Sequence, residues 1–292
     1  MGECLGFPTI IRIFAVDFAI KTKSMEQIQG KGRIVIRIGQ HHLSFTSVDP
    51  MNIEAPVTYE PYVVKSGMSL AANLREALKS AGLQQMCIRK ALVLLDAPVL
   101  LIPVEVFEES NMGQLYAHSF PSKEQQAMFY NVQPDLNTVA VYAKSKDVKT
   151  VLEDNFPDLR VMIASSPVWK HLHRRSFTGN RNKLYGYFHD QKLEIFAFQQ
   201  NRFRFFNQFD TVRVHDSIYF LLYVWKQLVL DAAQDELHLV GELPDRDQLQ
   251  QELGKYLQNV YVINPTAEFN RAPATQVKGM PFDLITLLTK GR

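Results

Sequence analysis

The chain has 292 residues, 46% of them apolar and 21% charged, with a formal net charge of +2. That length and balance allow two ordinary domains with sizeable cores and exclude a disordered chain. The small net charge excludes a molecule-wide field steering it to nucleic acid or an anionic membrane, and two cysteines, Cys4 and Cys87, are too few for a disulfide framework or a zinc site and fit a reducing, cytoplasmic setting.

Residues 1–30 alternate apolar and polar positions without clear caps, and are read as an N-terminal extension, with Met25 as an alternative start. Glu3 replaces the basic region of a secretory leader, Arg12 and Asp17 interrupt its apolar run, and Gly6 stands where a myristoylation signal needs Ser or Thr. No stretch approaches 18 uninterrupted apolar residues, so no membrane anchor is expected. Residues 34–38 and 43–48 predict a hairpin, with Gly39 supplying the positive φ of its turn. Pro50, Pro56 and Pro61 confine a strand at 57–64 to a sheet edge.

Ser69 caps a helix carrying Leu70, Leu74, Ala77, Leu78 and Ala81, which Gly82 stops. Residues 88–95 and 99–102 read as strands covered on both faces. Pro103 opens a predicted helix with Glu105, Glu108 and Glu109 near its positive end. A strand at 137–143, a helix capped by Ser145 on Val148, Val151 and Leu152, and a strand at 159–164 follow. Ser165-Ser166-Pro167 then opens a short basic helix.

The second half reads more cleanly. Residues 184–210 predict three strands in succession. Laid without a gap over 34–48, the stretch 184–198 places apolar residues on apolar residues and Gly39-Gln40-His41 on His189-Asp190-Gln191. Ile218, Leu221, Leu222, Trp225, Leu228 and Val229 define a helix whose other faces carry Tyr219, Phe220, Tyr223 and Val224, the pattern of a helix buried on several sides. A strand at 236–240 ends at Gly241. Asp245 with Gln248 caps a helix on Leu249, Leu253, Tyr256 and Leu257. A strand at 260–263, a loop to Pro281 and a short helix at 282–288 complete the chain.

The organisation predicted is α/β: a first lobe at 31–165, a basic crossover segment at 166–183 and a second lobe at 184–292. Each lobe is expected to hold a mixed five-stranded sheet with flanking helices, antiparallel where hairpins join strands and parallel where helices cross over. This tandem order is the plan of the actin, sugar-kinase and Hsp70 superfamily of ribonuclease H-like lobes. More narrowly, IRIGQHHLSF at 36–45, IPVEVF at 102–107, RFRFFNQF at 202–209, DSIYFLLYVWKQL at 216–228 and HLVGEL at 238–243 resemble a family of uncharacterised bacterial proteins with an actin-like ATPase fold. The resemblance covers roughly 31 to 265 and brings no established activity.

An active member of that superfamily implies two glycine turns whose N–H groups approach phosphates, an Asp in each first strand for hydrated Mg²⁺ or water, and a Gly-Gly against adenosine. Here Ile36-Arg37-Ile38-Gly39 keeps the glycine and replaces the acid by a cation, which repels a divalent ion. Gly186-Tyr187-Phe188-His189 has neither the Asp nor the turn Gly. Leu239-Val240-Gly241-Glu242 has Glu for the second Gly. Gly39, Arg37 and Gly241 therefore mark a vestigial nucleotide cleft. Arg37 is either a metal-free phosphate ligand or, in the preferred reading, a strand cation facing solvent or paired with a carboxylate. Asp190 is read as turn chemistry. Val16-Asp17-Phe18-Ala19 with Lys21 is a competing phosphate pattern, disfavoured by the 150-residue repeat.

Lys170, Arg174, Arg175, Arg181 and Lys183, with His171 and His173, form the best candidate nucleic-acid or anion patch; a solvated crossover helix is the preferred reading. His171 and His173 cannot share a helix face, and no residues suggest a metal site or a catalytic nucleophile. Phe203, Phe205, Phe206 and Phe209 are read as core before interface. No cofactor is expected, ATP with Mg²⁺ being disfavoured. The expectation is a cytoplasmic actin-like-fold scaffold or interaction module with a protein partner and no membrane. The alternatives are a nucleotide-binding ATPase or kinase, and a nucleic-acid-binding accessory protein.

Overall fold

A computed structural model describes residues 34–47, 57–81, 88, 90–199 and 202–289. The N-terminal extension, the Val16–Asp17–Phe18–Ala19 pattern, Cys4, Cys87 and Gly82 lie outside these residues.

Two five-stranded sheets carry the same topology. In the first, β1 (Ile34–Ile38), β2 (His42–Ser47), β3 (Thr58–Val63), β4 (Lys90–Leu95) and β8 (Asp158–Ile163) lie in the order β3-β2-β1-β4-β8. In the second, β9 (Lys183–His189), β10 (Lys192–Gln199), β11 (Arg202–Asp210), β12 (Glu236–Gly241) and β13 (Val260–Val262) lie in the order β11-β10-β9-β12-β13. In both, hairpin neighbours are antiparallel and crossover neighbours parallel. The strand at 58–63, with Pro61 inside it, is an edge, as its proline requires. Ile38 pairs with Leu43 and Phe188 with Leu193, so the turns at Gln40-His41 and Asp190-Gln191 fall at the same register 150 residues apart.

The helices sit where apolar spacing and caps put them, with exceptions that have local causes. In α1 (Leu70–Ser80) the Ser69 hydroxyl accepts from the Ala72 N–H at 3.2 Å. The helix expected at Pro103 is corrected: Val104–Val106 is a single 3-10 turn, and α2 begins only at Met112 (Met112–Ser119). The segment is tied down instead, since Asn137 accepts from the Val104 N–H and donates to Glu105 at 2.5 Å. The strand β5 (Val99–Pro103) is not covered on both faces. It is one edge of a separate sheet, β5-β7-β6, with β6 (Gln126–Gln133), unforeseen in the sequence, and β7 (Thr138–Ser145). Asn131 joins that insertion to the first lobe: its side chain donates to Val161 O and accepts from Ile163 N, bonding the outer edge of β8.

After α3 (Lys146–Asn155) and α4 (Ser166–Ser176), α5 (Val214–Gln227) buries Ser217, Leu221, Val224 and Trp225, but Tyr219 and Tyr223 are exposed and stacked. Only one side of this helix meets the sheet, so the expectation of burial on several sides is corrected. α6 (Arg246–Leu253) ends before Gly254, which leaves Tyr256 outside it and exposed. Residues 265–281 contain two single-turn helices, α7 (Pro265–Glu268) and α8 (Pro273–Gln276), rather than plain loop. The last helix, α9 (Phe282–Leu288), returns to the first sheet, its Leu284 and Ile285 packing with Val35, Leu94 and Ala164.

One apolar core runs through both lobes. Ile36, Ile38 and Leu95 belong to the same cluster as Trp169, Tyr187 and Phe196. Trp169 meets Phe196 and Phe206 edge-on at 6.5 and 5.2 Å. The register shifts between Ala197 and Phe198, where Arg204 is an extra residue in β11, so that Phe203 and Phe205, two positions apart, face opposite clusters.

Candidate functional site

The two equivalent turns meet, and the meeting point is the candidate site. Asp190 sits at φ +46 and Gln191 at φ +63, a conformation Asp tolerates through its short polar side chain. From there the Asp190 carboxylate reaches across to the first turn: Oδ2 accepts from the Gln40 N–H at 2.7 Å and the His41 N–H at 3.3 Å. These are backbone donors of the kind that cradle anions. In this molecule the anion is its own.

Gly39 is needed at this contact for a different reason from the one its sequence suggested. It has no positive φ. A Cβ there would lie 2.8 Å from Asp190 Oδ2 and 2.9 Å from Arg37 Nη1, so glycine is the residue that lets both approach the turn.

Arg37 is only 4% exposed, which corrects the solvent-facing half of its preferred reading and fits the other half. Its Nε donates to Asp283 Oδ2 at 2.7 Å, and the Tyr187 hydroxyl donates to the same oxygen at 3.1 Å. Arg37 and Tyr187 occupy matching positions in the two hairpins, and both converge on the terminal helix. Burial alone would lower the Arg37 pKa; Asp283, aided by Asp96, more than offsets it and raises the value. Burial pushes the Tyr187 phenol well above its ordinary range, in the presence of Asp283.

Asp96 closes the bridge from the first lobe. Its N–H donates to Ile38 O, which holds it beside the turn, and its carboxylate accepts from Lys192 Nζ at 3.0 Å on both oxygens. Lys144 Nζ donates to the Asp96 carbonyl at 2.8 Å. His189 lies between acids, with Nε2 3.2 Å from Glu194 Oε1 and Nδ1 3.9 Å from Asp96 Oδ2; Ser165 also donates to Glu194. Burial would raise the Asp96 pKa, but His189 first and Lys192 next depress it far below the carboxylate range. Burial would lower the His189 pKa, and the charges of Asp96 and Glu194 raise it instead. Around the turns, four carboxylates (Asp96, Asp190, Glu194, Asp283) thus face Arg37, Lys144, Lys192 and His189, leaving no surplus of positive charge for a triphosphate.

A pH dependence follows. The raised His189 value gives stability that is full below its ordinary 6.5 and is lost as pH rises through the folded value. The lowered Asp96 value gives stability present above its ordinary 3.8 and lost as pH falls through the folded value. Thermal unfolding followed from pH 4 to 9 should therefore show a decline setting in above about pH 6.5 that is absent in His189→Gln. An identical alkaline slope in the variant would remove His189 from this role.

Gly241 is far from an open purine wall. At φ +97, a Cβ there would stand 2.1 Å from Phe188 O, which also accepts from the Glu242 N–H at 2.8 Å. The position is filled by the neighbouring strand.

The basic segment does not assemble a patch. Lys170 pairs with Asp135 at 3.9 Å, Arg181 with Glu236 at 3.8 Å, and Arg175, with His171, with Glu268. Lys183 is buried and donates to Thr178. Arg174 is exposed. The Glu268 carboxyl is pushed down to about 2 by its hydrogen bond with His171 against the effect of burial, with Arg175 adding to the drop. The solvated-helix reading is corrected on one face, where Val168, Trp169 and Leu172 are core. Among the described residues no cluster of three or more His, Cys, Asp or Glu could hold a metal, and no helix is long and apolar enough to cross a membrane.

Sequence reasoning had passed over Asp96, Asp283, Lys144, Lys192 and Glu194. A signal existed for three of them: Asp96 ends an unbroken apolar strand, and Lys192 and Glu194 alternate on one face of an otherwise apolar one.

Two lobes with this repeated mixed sheet, meeting at paired hairpin turns, have the actin-like ATPase fold. A Bacteroides thetaiotaomicron protein with that fold and unknown function superposes with a TM-score of 0.78 at 28% identity, over 88% of this chain and 95% of that one. A chain of the PilM–PilN type IV pilus biogenesis complex matches at 14% identity with a TM-score of 0.53, over 88% of this chain and 97% of that one. The chain belongs to the family of proteins of unknown function DUF3822, whose model matches residues 21–260. No curated protein matches it.

Proposed function

We propose that this protein is a non-hydrolysing member of its fold, a bacterial cytoplasmic scaffold or interaction module that works through a protein partner. One contact carries the reading: the Asp190 carboxylate on the Gln40 and His41 N–H groups, where a nucleotide phosphate would have to sit. Placing a second anion there means expelling or protonating the first, beside carboxylates that already match the local cations. The metal is opposed too, because Arg37 stands where an acid would orient hydrated Mg²⁺. The ion-paired state of residues 170–183 gives a nucleic-acid role less support.

Thermal unfolding with and without millimolar Mg·ATP tests this. A ligand at a hundred times its dissociation constant stabilises by about 2.7 kcal/mol, which is easily seen. No upward shift is expected. A Mg²⁺-dependent rise in midpoint would replace this reading with the ATPase one.

A further inference from the structure

Beside the charged bridge runs a groove of about 1130 Å³. Residues 203–208 of β11 line it without a gap, and so do residues 99–101 of β5. Successive residues of a strand point to opposite faces, so a cavity touched by an unbroken run follows the strand's edge and not its face. Among the described residues both strands are edges of their sheets: β11 pairs only with β10 and β5 only with β7. Such an edge offers a row of backbone N–H and C=O groups to an incoming chain. From 203 to 210 that row is roughly 25 Å long at about 3.3 Å per residue.

The lining selects the chemistry of what would enter. Phe205, Phe206, Leu100 and Leu101 give apolar walls, all of them half-buried. Of the charged groups, Lys192 is held by Asp96 and Lys65 by Glu76. Lys144 belongs to the bridge already described, donating to the Asp96 carbonyl and facing the Asp96 charge. Arg204 is exposed on the strand itself, well along it from the single carboxylate of Asp210, and is the cation the groove offers a ligand.

We propose that this groove docks an extended segment of a partner protein, alternating apolar and acidic residues, which adds as a strand to the outer edge of β11. The proposal deepens the interaction-module reading by naming the partner's chemistry. Apolar side chains of the segment meet the Phe205 and Leu101 walls, and a carboxylate of the alternate set meets Arg204.

The probe is an eight-residue peptide of alternating valine and glutamate, fluorescently labelled and titrated against the full chain, with amide hydrogen exchange read over 203–210. Binding should slow exchange there at least tenfold. A peptide of the same sequence with alternate amides N-methylated should not bind, and Arg204→Glu, at an exposed position, should weaken the parent peptide at least tenfold. The proposal is overturned if millimolar peptide leaves 203–210 unprotected, if protection falls elsewhere, or if the methylated peptide or Arg204→Glu binds as well as the parent pair. Protection of 203–210 that grows with protein concentration alone would assign the edge to a second copy instead. The Mg·ATP thermal shift on the same preparation reports the cleft independently, so failure here and failure of the non-hydrolysing reading are told apart.

Discussion

Replacing Gly241 with alanine is expected to destabilise the fold by about 4 kcal/mol, from left-handed strain, overpacking and a lost strand-end hydrogen bond together. The added methyl would lie 2.1 Å from Phe188 O, a backbone atom of the adjacent parallel strand that cannot rotate away. β9 and β12 would have to part, and the Glu242 N–H bond to Phe188 would go with them. Gly179→Ala is the control. It shares a positive φ, +75, but nothing lies within 4 Å of its Cβ, so only the conformational cost of about 1 kcal/mol should appear. Urea denaturation of the two variants separates the effects. Equal losses would show that β12 does not depend on this close approach.

Asp283→Ala should cost about 3–5 kcal/mol, the range for leaving one member of a buried ion pair without its partner. Asp283 is fully buried, Arg37 is 4% exposed, and Tyr187 loses its acceptor at the same stroke. Most of that cost is the stranded guanidinium and not the worth of the pair. The double variant Arg37→Met with Asp283→Leu should therefore recover a large part of the loss, since apolar replacement of a buried pair is often near neutral. Chemical denaturation of Arg37→Met, Asp283→Leu and the double gives the coupling directly. Additive losses would mean that Arg37 finds another partner when Asp283 is gone.

Both variants bear on what could be read from the residues alone. The hairpin repeat was legible because its evidence is local: apolar alternation on either side of a two-residue turn, repeated at an offset of 150. What those hairpins do to each other was not. Asp283 lies 246 residues from Arg37, and Asp190 150 from Gln40, so neither pairing leaves a mark in local spacing. Gly39 was identified as important for the wrong physical reason, close approach replacing backbone handedness. The strand at Gln126–Gln133 escaped notice because Gln126, Asn131 and Gln133 break its apolar pattern, and Asn131 is polar because it bonds β8. The long apolar run at 99–103 looked like a central strand and is an edge whose exposed side borders a groove.

The same geometry links packing to motion. A working cleft of this fold has to admit a ligand between its lobes, whereas here the opposed turns are hydrogen-bonded to each other and the apolar core is continuous beneath them. Opening would expose Asp96, Asp190 and Lys192 from a buried, mutually compensated arrangement. We therefore expect the lobes to move as one body and the protein to present its outer edges to partners.

The most direct measurement is a crystal structure of the protein grown with millimolar Mg²⁺ and a non-hydrolysable ATP analogue. The expected density shows the Asp190 carboxylate on the Gln40 amide and no nucleotide between the turns. A triphosphate seated on the Gln40 and His41 amides, with Asp190 swung aside, would contradict the closed cleft.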